Sequence, residues 1–193
     1  MGRKGVERRA QILGMGKQML LDGGSGTFVL RDVAERLDIT HGNLQYYFKT
    51  KQDLLVAIFD EELAKYTDAM KEAVASTTTK RGRLAAIIDS GFQVLRSPET
   101  SLWRTMISMA DHSKEMAAIL KKENDLYEAA VMREFKQIAP ELSLQRRRHI
   151  AKIIHALLDG LAIQFGLEDP NSAEMRALES EIRALIVNLV EAD

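Results

Sequence analysis

Cysteine is absent from this 193-residue chain. Its absence removes disulfides, thiolate metal sites and cysteine nucleophiles, and it fits a reducing cytoplasm. Proline occurs three times, at Pro98, Pro140 and Pro170. Each lies where the apolar periodicity breaks, as expected of a residue with no N–H to give to a helix interior. A long apolar run is also missing. The most apolar stretch, Ile153 to Ile163, is interrupted by His155 and Asp159 and is shorter than the roughly 20 residues needed to cross a bilayer. The basic start Met1-Gly2-Arg3-Lys4 leads into charged, helix-periodic sequence, which is not the pattern of a secretion signal. Nor is there an alternating apolar-polar stretch long enough for a convincing strand.

What is present is helical periodicity almost throughout, in a composition of 46% hydrophobic and 28% charged residues that can bury a real core. Ile12, Gly16, Met19 and Leu20 line one side of a first helix, which Gly23-Gly24 stops. Leu30, Val33, Ala34 and Leu37 mark a short second helix. Thr40 can cap a third that runs to about Phe48, and Thr50 with Asp53 resembles a capping box that opens a long fourth. Five more helices are expected near 83–96, 99–111, 114–138, 144–168 and 173–191. The fold class is all-α, with about nine helices: an N-terminal three-helix domain over residues 1–52 and a helical C-terminal domain over 53–193.

Net charge is −1, a poor advertisement for a nucleic-acid binder until its distribution is considered. Residues 1–52 carry nine Lys/Arg against five Asp/Glu, a surplus of +4, so the remainder carries −5. A basic head on an acidic body suggests that the head meets phosphates. Within that head, two short helices joined by a three- to four-residue turn form the unit that places its second helix in a DNA major groove. Leu44 and Phe48 share one side of the third helix and anchor it. The opposite side presents Gly42, Gln45 and Tyr46, with His41 at its N-terminal edge. Gln45 can bind adenine bidentately, Tyr46 can reach phosphate or sugar, and Gly42 permits close approach of the backbone. Helix starts at Thr40 and Lys51 offer unpaired N–H groups to phosphate. Tyr47 is open to either packing or DNA contact. The expected DNA-binding set is Arg31, Thr40, His41, Gly42, Gln45, Tyr46, Tyr47 and Lys51.

The run from Arg31 to Leu55 resembles the signature of the tetracycline-repressor (TetR) family of bacterial regulators. It contains Val33-Ala34, the Thr40-x-Gly42-x-Leu44-x-x-x-Phe48 pattern and Lys51-x-x-Leu54 at the family's spacings. The resemblance is strong over residues 8–55 and weak beyond; a Leu158-Asp159-Gly160-Leu161 stretch also fits it. Departures are Asp38 where the family usually has a turn glycine, Gln45 where Tyr is common, and Phe28-Val29 where Thr or Ser often opens the second helix. Asp tolerates the left-handed conformation at modest cost, whereas Gln45 shifts which bases are read. The resemblance implies a repressor that leaves a palindromic operator when an unidentified small-molecule effector changes the separation of two DNA-reading heads. No cofactor is implied.

In the last two helices, apolar residues extend beyond one face, which implies a second partner for each. The expected homodimer interface comprises Ile154, Leu158, Leu161, Phe165, Leu178, Ile182, Leu185 and Leu189. Between head and interface, Phe92, Gln93, Trp103, Met106, Met109, His112, Met116 and Tyr127 combine aromatic, methionine and polar groups in a manner that suits either an effector pocket or an ordinary core.

Other signals weaken on inspection. Gly24-Ser-Gly26-Thr-Phe lacks the third glycine and preceding strand of a dinucleotide loop, and Gly14-Met-Gly16-Lys17 lacks a phosphate loop's spacing. His155 and Asp159 share a helical face and could meet a ligand's polar group or cross an interface, but two groups make a poor metal site. Arg146-Arg147-Arg148 reads as a solvated helix start. A helical enzyme would need a converging nucleophile and base, and the four histidines are scattered without a motif. A helical adaptor binding only protein would leave the basic head and the Gln45/Tyr46 face unexplained.

Overall fold

The computed structural model describes residues 2–24, 26 and 28–191. Ser25 and Thr27, in the stretch dismissed above as a dinucleotide loop, lie outside the described residues. Nine helices and no strand occur among those described: α1 (Arg3–Gly23), α2 (Leu30–Arg36), α3 (His41–Tyr47), α4 (Lys51–Ala75), α5 (Lys80–Leu95), α6 (Thr100–Ala110), α7 (Lys114–Ile138), α8 (Leu144–Gln164) and α9 (Ala173–Glu191).

The cap chemistry explains the boundaries. Gly24 takes φ +67° and donates its N–H to the Leu20 carbonyl at 2.8 Å, stopping α1. Between α2 and α3, Asp38 sits at φ +51°, the left-handed turn position at which a short polar side chain can stand in for glycine. The Thr40 hydroxyl accepts the Asn43 N–H at 3.1 Å and caps α3. At α4 the box closes in both directions, Asp53 N–H to the Thr50 hydroxyl and Thr50 N–H to the Asp53 carboxylate, each at 3.0 Å. By contrast α2 begins at Val29 with no side-chain cap.

The chain forms two compact units. The first comprises Met1–Leu63 and Ser101–Leu120; the second comprises Ala64–Thr100 and Lys121–Asp193. This grouping differs from a single cut after residue 52, because the first half of α4, all but the first residue of α6 and the start of α7 contribute apolar side chains to the first unit's core. There Ile12, Leu20, Phe28, Val33, Leu44 and Leu54 are buried beside Leu102, Met106 and Met116. Gly16 lets α1 and α4 approach closely: a Cβ there would lie 2.9 Å from Ile58 Cδ1, so that side-chain tip would have to move aside. The second unit packs Met70 and Val74 of α4 with Ile87, Ile88, Val131, Phe135, Ile150, Ile154 and Ile186. Its α5–α8 contact is close at Gly91, where a Cβ would meet Leu158 Cδ1 at 2.4 Å. An ion-pair network ties α5 to α9 through Arg183, which pairs with Asp89 and Glu179 and lies 5.1 Å over the Phe92 ring.

Candidate nucleic-acid interface

The head presents one face of α3 to solvent because the other is consumed by packing. Leu44 and Phe48 are buried, while His41, Gly42, Gln45 and Tyr46 are exposed, Tyr46 at 75%. Nothing lies within 4 Å of where a Gly42 Cβ would stand, so close approach to that point is limited only by what arrives from outside. An exposed tyrosine of this size has little to gain from water, and here it is held edge-on to Tyr47 with ring centroids 5.1 Å apart.

Beside this face lies a groove of about 420 Å³ lined by Lys4, Gly5, Arg8, Ile39, Thr40, Asn43 and Tyr47. The groove brings the first turns of α1 against the start of α3, so that two cations from one helix flank the cap of another. Lys4 and Arg8 were not among the residues expected from the sequence. Only the surplus positive charge of the head hinted at them, because nothing in their spacing says which of nine basic residues folds next to α3. Tyr47 is half-buried, contributing its ring both to the groove wall and to the core of the first unit. Thr40 and Arg31 are exposed. Lys51 is half-buried, with its ammonium 5.6 Å from the Phe28 ring centroid. The remaining cations differ in availability: Arg9 lies over Phe48 at 5.1 Å and Lys17 pairs with Glu62 at 2.7 Å, whereas Arg36 and Lys49 are exposed.

The other two expected sets are dispersed. Of the eight residues assigned to an effector pocket, Trp103, Met106, Met109, His112 and Met116 belong to the first unit, where the tryptophan and the methionines join its apolar cluster and His112 is exposed. Phe92, Gln93 and Tyr127 belong to the second. Phe92 is buried under Arg183, Gln93 is exposed, and Tyr127 is buried. The eight therefore do not gather within either unit.

Of the residues assigned to a dimer interface, Ile154, Leu158, Leu161 and Ile182 are buried in the second unit's own core, and Phe165 and Leu178 are packed against it. Phe165 and Leu178 are only half-buried, while the apolar area of the other four is used inside the chain. Leu189 is half-buried and Leu185 is 47% exposed. The exposed apolar residues of α8 lie on another face. Ile153, Ala156, Ile163 and, just past the helix, Leu167 at 89% exposure follow one another at three- and four-residue spacing, with half-buried Gly160 between them. Alongside on α9, Ala177, Ala184 and Leu185 are exposed.

Comparison with known proteins settles the class. A family model described as BetI-type transcriptional repressor, C-terminal, matches residues 80–188, more than half of the chain. The HTH-type transcriptional regulator BetI of Brucella anthropi is 24% identical over 182 residues, covering 92% of both chains. The fatty acid metabolism regulator protein of Bacillus subtilis is 22% identical over 106 residues, 55% of this chain and 55% of that protein. Among solved structures, a transcriptional regulator from Saccharomonospora viridis in complex with choline superposes with a TM-score of 0.77 at 17% identity, covering 97% of each chain. The chain belongs to the TetR family of transcriptional regulators, with a C-terminal region of the BetI type. It is a regulator of transcription and not an enzyme.

Proposed function

We propose that this regulator represses transcription in the cytoplasm as a homodimer, gripping a two-fold-related operator with α3 in the major groove and leaving it when a small molecule binds the second unit. The observation that carries the DNA half is the exposed Gly42, Gln45 and Tyr46 face beside a groove holding Lys4 and Arg8. Gln45 supplies a bidentate donor and acceptor for a base edge, while the two cations neutralise adjacent phosphates and fix the helix in register. Phosphate contact also predicts a steep fall of affinity with salt.

The α8/α9 stripe supports the dimer. Ile153, Ile163 and Leu167, in line on and just past α8, and Leu185 on α9 are exposed apolar side chains that a monomer gains nothing by showing to water. Gly160 in its middle costs the helix about 1 kcal/mol relative to alanine, and no neighbour within the chain requires it. A partner helix crossing closely at that point does. Two-fold pairing brings the same strip from both copies together and sets two α3 helices on half-sites one DNA turn, or a multiple of it, apart. The small-molecule half rests on the family and on the neighbour that was solved with choline.

The deciding experiment is fluorescence anisotropy with labelled DNA from upstream of the gene, titrated at several salt concentrations. Tighter binding to a two-fold-symmetric sequence than to its scrambled counterpart and a linear fall of log affinity with log salt are expected. Failure to bind any sequence in preference to random DNA would overturn the reading.

A further inference from the structure

The charges of the second unit are unevenly placed. Its described residues carry sixteen Lys/Arg and sixteen Asp/Glu, yet cations collect at one end, where α5 and α8 begin and α7 and α9 finish. Ion pairs and a hydrogen bond fix this grouping. Lys80 and Arg81, in the first turn of α5, reach Glu141 before α8 and Glu191 at the end of α9, at 4.0 and 3.2 Å. Arg83 and Arg133 share Glu134 of α7, at 3.1 and 3.3 Å. Arg148 and Lys152 of α8 share Glu128, at 2.8 and 3.7 Å. Arg146 Nη2 donates to the Leu189 carbonyl of α9 at 3.2 Å. Arg147 follows it on α8, and Lys136 lies one turn beyond Arg133 on α7. Nine cations thus face four carboxylates, a surplus of +5 beside the +4 of residues 1–52; the unit's other described residues, seven cations and twelve acids, carry −5.

Folding alone does not call for such a surplus. Exposed ion pairs add little net stability, and cations crowded without enough counter-charge repel one another. Glu128 and Glu134 each serve two cations, and Arg147 Nε, closed off from water, has no hydrogen-bond partner among the described residues. Six of the nine cations are arginines, whose planar forks match phosphate oxygens two at a time. Leu144, 58% exposed, is the large apolar side chain among them, which is little to insert into a lipid surface. By itself Arg146-Arg147-Arg148 reads as a solvated helix start; joined by the ends of α5 and α7 it becomes the middle of a basic surface.

We infer that this end of the second unit is a second DNA surface, which takes the sugar-phosphate backbone of a double-stranded segment other than the one α3 reads. Cations carried on helix ends contact the backbone and bind without sequence preference. A regulator held on one site by α3 meets the flanking DNA at high effective concentration, so a weak and salt-sensitive surface suffices to hold a second segment. The consequence is a bridge between two stretches of duplex, formed whether or not a small molecule acts on the protein.

The test is a two-duplex capture assay with the full chain. One short duplex is immobilised and saturated with protein, unbound protein is washed away, and a second, fluorescent duplex of random sequence is added at low salt. Wild type should capture the second duplex. The triple variant Arg81→Glu/Lys136→Glu/Arg148→Glu, changed only at exposed positions, should capture at least about fivefold less while holding the first duplex within about twofold. No capture by wild type overturns the inference. So does capture that the variant retains, the result expected if two heads of one dimer grip two duplexes. Lys136→Ala, a single surface change, should lower the slope of log capture against log salt by about one unit; an unchanged slope refutes the surface even where the triple variant fails to fold. Capture of phosphatidylglycerol vesicles in place of the second duplex assigns the surface to lipid and likewise overturns it. If the first duplex is held no better when two-fold symmetric than when scrambled, the proposed operator grip falls, while capture still decides what the second surface binds.

Discussion

Ile163→Asp should convert the proposed dimer to a monomer without unfolding the chain. Ile163 is 52% exposed, so roughly half of its side chain is available for a partner to cover. Full burial of such a side chain is worth about 1.5–3 kcal/mol, and half of it about 1 kcal/mol. In a two-fold dimer every substitution counts twice, giving about 2 kcal/mol from lost burial. A carboxylate left without a partner in a desolvated contact adds about 3 kcal/mol or more. The sum, on the order of 5 kcal/mol, corresponds to more than a thousandfold weaker association. Within one chain the same change replaces an exposed side chain on a helix surface and should cost under about 0.5 kcal/mol. Ile154→Ala, one position from Ile153 but fully buried, should behave oppositely, lowering stability by about 2–5 kcal/mol. Sedimentation velocity over a dilution series, paired with urea unfolding at concentrations below dissociation, separates the two effects. A dimer of unchanged affinity in Ile163→Asp, or equal destabilisation by both variants, would refute the assignment of the α8 face.

Gln45→Ala should change which operator variants bind best, at about 1–3 kcal/mol for the base it reads, whereas Arg8→Ala should weaken all sites alike and flatten the salt slope by about one unit; selection from a randomised operator library followed by anisotropy checks both. Gly16→Val should lower the stability of the first unit by about 1–3 kcal/mol, because its side chain must displace Ile58, and a urea midpoint measures it. His155 is held neutral in the folded chain, so the unfolded chain binds the proton more readily. Stability should therefore be unaffected by this group above pH 6.5 and should decline as pH falls below that value. The difference between wild type and His155→Asn in chemical denaturation from pH 8 to pH 5 should grow in that window, and a constant difference would count against a buried, uncharged imidazole.

The first fifty residues were legible because their instructions are local. Thr40, Thr50 with Asp53, and Gly23-Gly24 act on backbone groups three or four residues away, and the structure shows those hydrogen bonds. Asp38 in place of glycine left the turn intact for the same local reason. The body was less legible because its choices are non-local. Helix α8 carries Ile150, Ile153, Ile154, Leu157 and Leu158 around much of its circumference, and periodicity alone cannot say which stripe its own core takes. Trp103, Met106 and Met116 look like any pocket lining until the chain is seen to bring them to the core of the first unit. Arg146-Arg147-Arg148 announced a charged helix start, but Lys80, Arg81 and Arg83 lie so far away in sequence that no spacing rule joins them to it.

Trp103 is the only tryptophan in the chain, and it packs against the apolar cluster of the first unit. Its emission is consequently a private reporter. Far-ultraviolet circular dichroism sums over every helix, while the indole registers solvent entry at one core alone. Recorded together through a denaturant titration, the two signals reveal whether the first unit melts in step with the rest or yields first. One side chain thus carries the means to watch the first unit by itself.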